Sequence, residues 1–322
     1  MPDYLIGYDI GGTKCAVNLG RLRGSEVELL DKEAFPTDTA RGPGHALASL
    51  ERITRRMLSE RGLATADVRA IGISCGGPLD GRSGTIISPP NLPGWENLAI
   101  CEHFRERFSV PVALQNDADA CAVAEWKWGA GRGARNMIFL TFGTGMGAGL
   151  ILDGRLYTGA TNLAGEVGHI RLAKQGAYGY GKLGSFEGFC SGGGIARLAA
   201  AMVYEARLEG VDTRLDADTV TARDVFDFAR EGDEVAIEIL HTVGTKLGEG
   251  LALLVDILNP EVIVIGSIFA RAEDLLRPAA EKALREEALS LSAAACRIVP
   301  AALGEQIGDY ACLSIATLST NE

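Results

Sequence analysis

The sequence contains no uninterrupted apolar run of about 18 residues, so no segment is predicted to cross a membrane as a helix. It also does not open with a basic segment leading into a short apolar one, so a secretory leader of the usual kind is not expected. No two cysteines stand in a Cys-x-x-Cys pair, and the seven present (Cys15, Cys75, Cys101, Cys121, Cys190, Cys296 and Cys312) are odd in number. Several lie inside apolar runs, where cysteine acts as a small buried hydrophobe. That usage predicts a reducing, cytoplasmic setting rather than a disulfide framework. Basic charge is in deficit: 31 Lys and Arg against 42 Asp and Glu leave a net charge of -11. A nucleic-acid or anionic-membrane partner is therefore not expected. An anionic substrate would need a metal ion to carry the compensating charge.

What remains is an ordinary globular composition, 47% hydrophobic and 23% charged over 322 residues, enough for about two domains. The informative stretches are places where an apolar run stops at polar residues or glycines. Val110 to Leu114 ends at Gln115-Asn116-Asp117, and Ala118 to Trp128 then carries Ala120, Val123, Ala124 and Trp128 at helical spacing. Such a strand delivers an amide and a carboxylate to its C-terminal end, where open α/β sheets place their ligands. The plainer reading of Asp117 is a helix N-cap.

Tyr4 to Ile10 reads as a strand that breaks at Gly11-Gly12-Thr13-Lys14 and resumes at Cys15. Adjacent glycines allow a tight turn whose backbone N–H groups can cradle an anion. Met137 to Phe142 ends likewise at Gly143-Thr144-Gly145-Met146-Gly147. Gly143, Gly145 and Ala148 match the loose dinucleotide pattern G-x-G-x-x-A, but that pattern must open a helix. Here Leu150 to Tyr157 reads as two strands about an Asp153-Gly154 hairpin. The same strand–turn–strand unit thus occurs once in each half, a weak internal repeat. It predicts a duplicated α/β architecture, with a cleft between the halves able to grip a phosphate chain from both sides.

Further along, Glu166 and His169 lie three apart beside Gly165 and Gly168, and a glycine-dense loop runs from Gly176 to Gly194. Helices are expected over Gly44–Glu60, Leu98–Phe108, Ile195–Leu208, Asp233–Leu258, Glu273–Glu287 and Gln306–Leu318.

Six motifs taken together resemble the ROK family of sugar kinases and related repressors. They are Asp9-Ile-Gly-Gly-Thr-Lys14, Gly77-Pro78, Asn91-Leu-Pro-Gly-Trp95, Asn116-Asp-Ala-Asp119, Gly143-Thr-Gly-Met-Gly147 and Gly165-Glu-Val-Gly-His169, in the family's order. The resemblance implies an α/β, two-lobed, actin-like (ribonuclease-H-like) ATPase fold with a central active-site cleft. The first lobe would span residues 1–116 and be rejoined by a C-terminal helix over 306–322, the larger lobe spanning 117–305. It implies an ATP-dependent, glucokinase-like hexose kinase, with fructose, mannose or N-acetylhexosamine kinases and a sugar-sensing regulator as alternatives. The repressors carry an additional helix-turn-helix segment, whereas here the first strand begins at Tyr4 and no basic recognition helix is evident.

By matching position, Asp117 is the implied general base. Gly77, Asn91, Asn116, Glu166, His169 and Glu187 are implied sugar contacts. Gly11, Gly12, Thr13, Lys14, Gly143, Thr144 and Gly145 would form the phosphate turns, Asp9 would position Mg²⁺ through water, and Gly193, Gly194, Gly266 and Ser267 would flank the nucleoside. Partners are a sugar and ATP, with a homodimer or homotetramer expected. One departure stands out. The family's zinc motif C-x-C-G-x-x-G-C-x-E, completed by the histidine, here places Tyr178, Tyr180 and Ser185 at the cysteine positions. Neither residue type is a usual structural zinc ligand, so no structural zinc is expected.

Overall fold

A computed structural model describes residues 3–318. The chain forms two compact units, one made of residues 1–133, 149–164 and 302–322, the other of residues 134–148 and 165–301.

The first unit is built on strands β1 (Tyr4–Ile10), β2 (Lys14–Arg23), β3 (Glu26–Pro36), β4 (Val68–Cys75) and β5 (Val112–Asn116), in the order β3-β2-β1-β4-β5. The β1–β2–β3 meander is antiparallel, whereas β1, β4 and β5 run parallel. Their alternation decides which neighbours they take. Ile6, Tyr8 and Ile10 join a buried cluster with Leu50 and Ile53 of helix α1 (Pro43–Glu60) and Phe104 of helix α2 (Ile100–Phe108). Leu5 and Ala70 point the other way and pack with Leu313 and Ala316.

Those last two residues belong to the helix Ile307–Leu318, which returns from the far end of the chain to cover the sheet. Gly7 and Gly72 are partners in register beneath it. A Cβ on Gly72 would run into the Cys312 carbonyl and the Ala316 nitrogen, and one on Gly7 into the Cys312 sulfur. Close approach of the helix backbone is the reason these strand interiors carry glycine. Of the C-terminal helix expected over 306–322, residues 319–322 lie outside the described residues.

Helix α3 (Asp117–Trp128) counts with this first unit, so the boundary falls after residue 133 rather than at 116. Packing explains the difference. Buried Glu125 accepts hydrogen bonds from the backbone of Ala130, Ala302 and Leu303, Ser314 Oγ donates to the Ala120 carbonyl, and Trp128 meets Tyr310 edge to face. Gly149 fits against α3 because a Cβ there would lie 2.5 Å from the Ala122 Cβ. Gly149 begins the excursion 149–164, which holds most of β7 (Ala148–Leu152) and the paired β8 (Arg155–Tyr157).

In the second unit, β9 (Val262–Ile265) runs parallel between β6 (Met137–Leu140) and β10 (Arg297–Pro300), all four β9 residues being buried. Its helices are α4 (Gly192–Leu208), α5 (Ala222–Arg230), α6 (Glu234–Leu258) and α7 (Glu273–Glu287). Helix α4 opens three residues before the expected Ile195, because the Ser191 hydroxyl caps the Gly194 N–H and holds the glycines in the first turn. Gly244 and Gly248 let α6 approach α7 closely, each facing alanine methyls or backbone there. All seven cysteines are free thiols. Among the described residues no helix is long and apolar enough to cross a membrane.

Candidate functional site

Parallel pairing aligns three strand ends in the first unit. Ile10 is in register with Cys75, and Cys75 with Asn116. The turn after β1, Gly76-Gly77 after β4 and Asp117 after β5 therefore emerge side by side at the C-terminal edge of one sheet, where such sheets bind ligands. Gly11 N–H donates to the Lys14 carbonyl at 3.0 Å, closing the first turn, with Thr13 and Lys14 exposed. Gly12 is pressed against Asn91, the Gly77 Cβ position lies 3.3 Å from Asn116 Nδ2, and that of Gly76 lies 3.8 Å from the Asn91 amide. Asp9, Gly11, Gly12, Gly77, Asn91, Asn116 and Asp117 thus share one edge.

The carboxylate of Asp117 is exposed there, and the capping role falls to its neighbour. Asn116 is the N-cap of α3, its Oδ1 accepting from Ala118 N–H at 2.9 Å. Asp117 is the first helical residue and shares the same N–H through its own Oδ1 at 2.9 Å. Asp9 is half-buried. Burial first, then the carboxylates of Asp309 and Asp117, raise its carboxyl to about 6, against the opposing charges of Lys32 and Lys14. Asp309 is buried on the C-terminal helix and ion-paired with Lys32 at 2.6 Å. The sequence marks this residue only weakly. Its signal is a carboxylate in the otherwise apolar stretch Ile307 to Leu318, but nothing local links it to Asp9.

The second unit repeats the device. Leu140 of β6 is in register with Ile265 of β9, so the Thr141–Gly147 turn and Gly266-Ser267 leave the sheet together. Thr141 closes its turn by accepting from Gly147 N–H at 2.8 Å through Oγ1. The Gly143 carbonyl accepts from Gly192 N–H at 2.7 Å, and the Gly143 Cβ position lies 3.4 Å from Ser267 Oγ. Thr144 is exposed, and a strand rather than a helix follows, so the dinucleotide pattern lacks its helix. Gly193 and Gly194 lie in the first turn of α4, where a Cβ on Gly194 would strike the Gly188 and Glu187 carbonyls.

Glu187 reaches the same turn, accepting from Met146 N–H at 3.1 Å, with the Gly145 Cβ position 3.0 Å from its Oε2. Glu166 precedes a short 3₁₀ turn over Val167–His169 that ends on His169, and both residues are exposed. Tyr180 gathers them: its hydroxyl donates to Glu166 at 2.9 Å and its ring lies 3.8 Å from the His169 ring, centroid to centroid. The residues at the motif's other cysteine positions are engaged in holding the loop. Ser185 is fully buried, donates to the Gly179 carbonyl at 2.9 Å and caps Gly188, while the Tyr178 carbonyl accepts from Arg197.

These residues do not fit a structural zinc. Two tyrosines and a serine that already caps a helical turn offer no thiolate set beside His169. Among the described residues, no group of three or more His, Cys, Asp or Glu side chains could hold a metal ion. For Mg²⁺ the donor chemistry differs. That ion binds through one or two carboxylates with substrate phosphates and water, and the Asp9 carboxylate beside the first turn is a donor of that kind.

Known proteins share the family and the fold. The ROK family model matches residues 5–316. A glucokinase of Halalkalibacterium halodurans is 33% identical over 279 residues, covering 85% of this chain and 83% of that protein. A xylose repressor of Caldicellulosiruptor bescii is 33% identical over 205 residues, covering 62% of this chain and 50% of its own length. Among solved structures, a ROK glucokinase of Streptomyces griseus in complex with glucose and AMPPNP superposes with a TM-score of 0.72 at 26% identity, covering 98% of this chain and 99% of that one. The fold is the actin-like ATPase fold of these sugar kinases.

Proposed function

The chain belongs to the ROK family, and from that premise we propose that it is an ATP-dependent sugar kinase acting on a hexose at its primary hydroxyl, glucose foremost. The observation that carries the reading is Asp117: an exposed carboxylate at the C-terminal edge of a parallel sheet, sharing the Ala118 N–H with the N-cap Asn116. A carboxylate so placed can accept the hydroxyl proton as the oxygen attacks phosphorus, a contribution of roughly 10²–10⁴-fold in rate. Gly77, Asn91 and Asn116 share one sheet edge, and they are candidate partners for sugar hydroxyls, as are Glu166, His169 and Glu187. A site built for hydroxyls discriminates against analogues that leave those partners unpaired.

Backbone N–H groups of Gly11, Gly12, Thr13, Gly143, Thr144 and Gly145, with Lys14, orient the phosphates. Gly193, Gly194, Gly266 and Ser267 flank the nucleoside. When bound with ATP, Mg²⁺ supplies charge neutralisation at the phosphates, and Asp9 would hold it through water.

A panel of glucose, fructose, mannose and N-acetylhexosamines with Mg-ATP in a coupled ADP-release assay tests the reading. Sugar-dependent ADP release with glucose preferred is expected, and release no greater than the sugar-free control for every member would sink it. The match to a xylose repressor favours a second reading, a sugar-sensing regulator. That would appear as sugar binding without turnover.

A further inference from the structure

Glu166 and His169 sit on a short turn that does not itself orient their side chains: Glu166 flanks the turn at its N-cap position with no side-chain capping bond. Both are instead addressed by one residue from the following loop. Tyr180 takes a left-handed backbone conformation, φ 52°, rare for an aromatic residue. It aims its hydroxyl at Glu166 Oε2, 2.9 Å away, and its ring at the His169 imidazole, 3.8 Å between centroids and 43° between planes. The ring also lies close to the turn backbone: a Cβ on Gly168 would meet the Met146 carbonyl oxygen first and would lie 3.0 Å from Tyr180 Cε2. The loop behind the ring is anchored by the two-residue ribbon pairing Tyr178–Gly179 with Lys182–Leu183, and by Ser185 bonding Gly179.

We infer that Tyr180 is a positioning residue for sugar recognition. It fixes the Glu166 carboxylate through a hydrogen bond and the His169 ring through a tilted ring contact, at a loop position where the family pattern would place a zinc ligand. The inference rests on the reading that Glu166 and His169 meet sugar hydroxyls. Its physical content is pre-organisation: a carboxylate already held in one rotamer loses less freedom when the substrate arrives. Tyr180 is 40% exposed, so trimming its hydroxyl removes little core packing.

The test compares Tyr180→Phe, which keeps the ring, with Tyr180→Leu, which removes both contacts. Sugar affinity is measured by calorimetry without nucleotide, and steady-state constants are measured beside it. Tyr180→Phe should weaken binding of the wild type's preferred sugar about 3- to 10-fold, the range of one ordinary hydrogen bond at a solvent-exposed position. Its sugar KM should rise in parallel, with kcat, the KM for Mg-ATP and Tm almost unchanged. Tyr180→Leu should weaken binding further, by about 30-fold or more in total. In a Glu166→Ala background, Tyr180→Phe should add nothing.

Unchanged sugar affinity in Tyr180→Phe, or a loss of Tm and kcat at constant affinity, would overturn the positioning role while leaving the kinase reading intact. So would full additivity with Glu166→Ala. Failure of the wild-type protein to bind any sugar of the panel is a different outcome, and it would remove the sugar reading and this inference together.

Discussion

Gly12 is packed directly on Asn91: a Cβ built on the glycine would lie 2.5 Å from the Asn91 carbonyl oxygen and 2.9 Å from the Asn91 Cβ. The turn assigned to phosphate and the loop assigned to sugar therefore share one contact. Gly12→Ala should push the two apart and raise the KM for sugar and for Mg-ATP together, each by about 10-fold or more, since small misplacements at a site are costly. A rise confined to one substrate would show that the two loops move independently.

Asp117→Asn should lower kcat by roughly 100-fold or more, the scale of a lost general base. Fold and Tm should survive, because Asn116 caps α3 and the new side chain keeps an oxygen for Ala118 N–H. Near-normal turnover in a folded Asp117→Asn protein would remove Asp117 from the chemistry.

Asp9 makes a pH prediction with a definite sign. Its carboxyl is raised to about 6 by burial and by Asp309 and Asp117, whereas an unfolded aspartate titrates near 4. The folded state thus binds the extra proton between about 4 and 6, so this group's contribution to stability falls as pH rises through that window and stays lost above it. Asp9→Asn should therefore melt higher than wild type at pH 8, by about 2–4 °C for each kcal/mol recovered, and the gap should close near pH 4. Its kinase activity should be lost. Equal melting temperatures across this range would contradict the assigned electrostatics.

Purified protein should contain no stoichiometric zinc, and exhaustive chelation followed by return of Mg²⁺ should restore full activity. The reason lies in Ser185, which spends its oxygen on Gly179 and Gly188. Zinc lost together with activity, and regained only when zinc is added back, would refute this.

How much of this was legible beforehand depended on range along the chain. The two strand–turn–strand units, the strand ending at Asn116-Asp117 and the helix Glu273–Glu287 follow from local apolar periodicity and glycine placement, and they appear where expected. The start of α4 did not, because Gly192 to Gly194 read as loop until the Ser191 cap is seen. The reach of Tyr180 to Glu166 depends on a backbone conformation that sequence pattern does not encode. Lys32 and Asp309 pair across most of the chain, and only the packed helix brings them together.

Gly72→Ala offers a packing test in the same unit. Its methyl would meet backbone of the C-terminal helix, which cannot swing aside like a side chain, so destabilisation of about 1–3 kcal/mol or more is expected in chemical denaturation. A variant as stable as wild type would mean the helix sits further from the sheet than described.

That helix also sets an order of events during synthesis. The sheet of the first unit is translated early, yet the face bearing Leu5 and Ala70 packs on Leu313 and Ala316 of the last helix. Everything from α4 to β10 must leave the ribosome before that cover exists. For most of translation the nascent chain therefore carries an open apolar face on its oldest part, a surface suited to a holding chaperone. A nonsense codon late in the reading frame would damage the beginning of the protein.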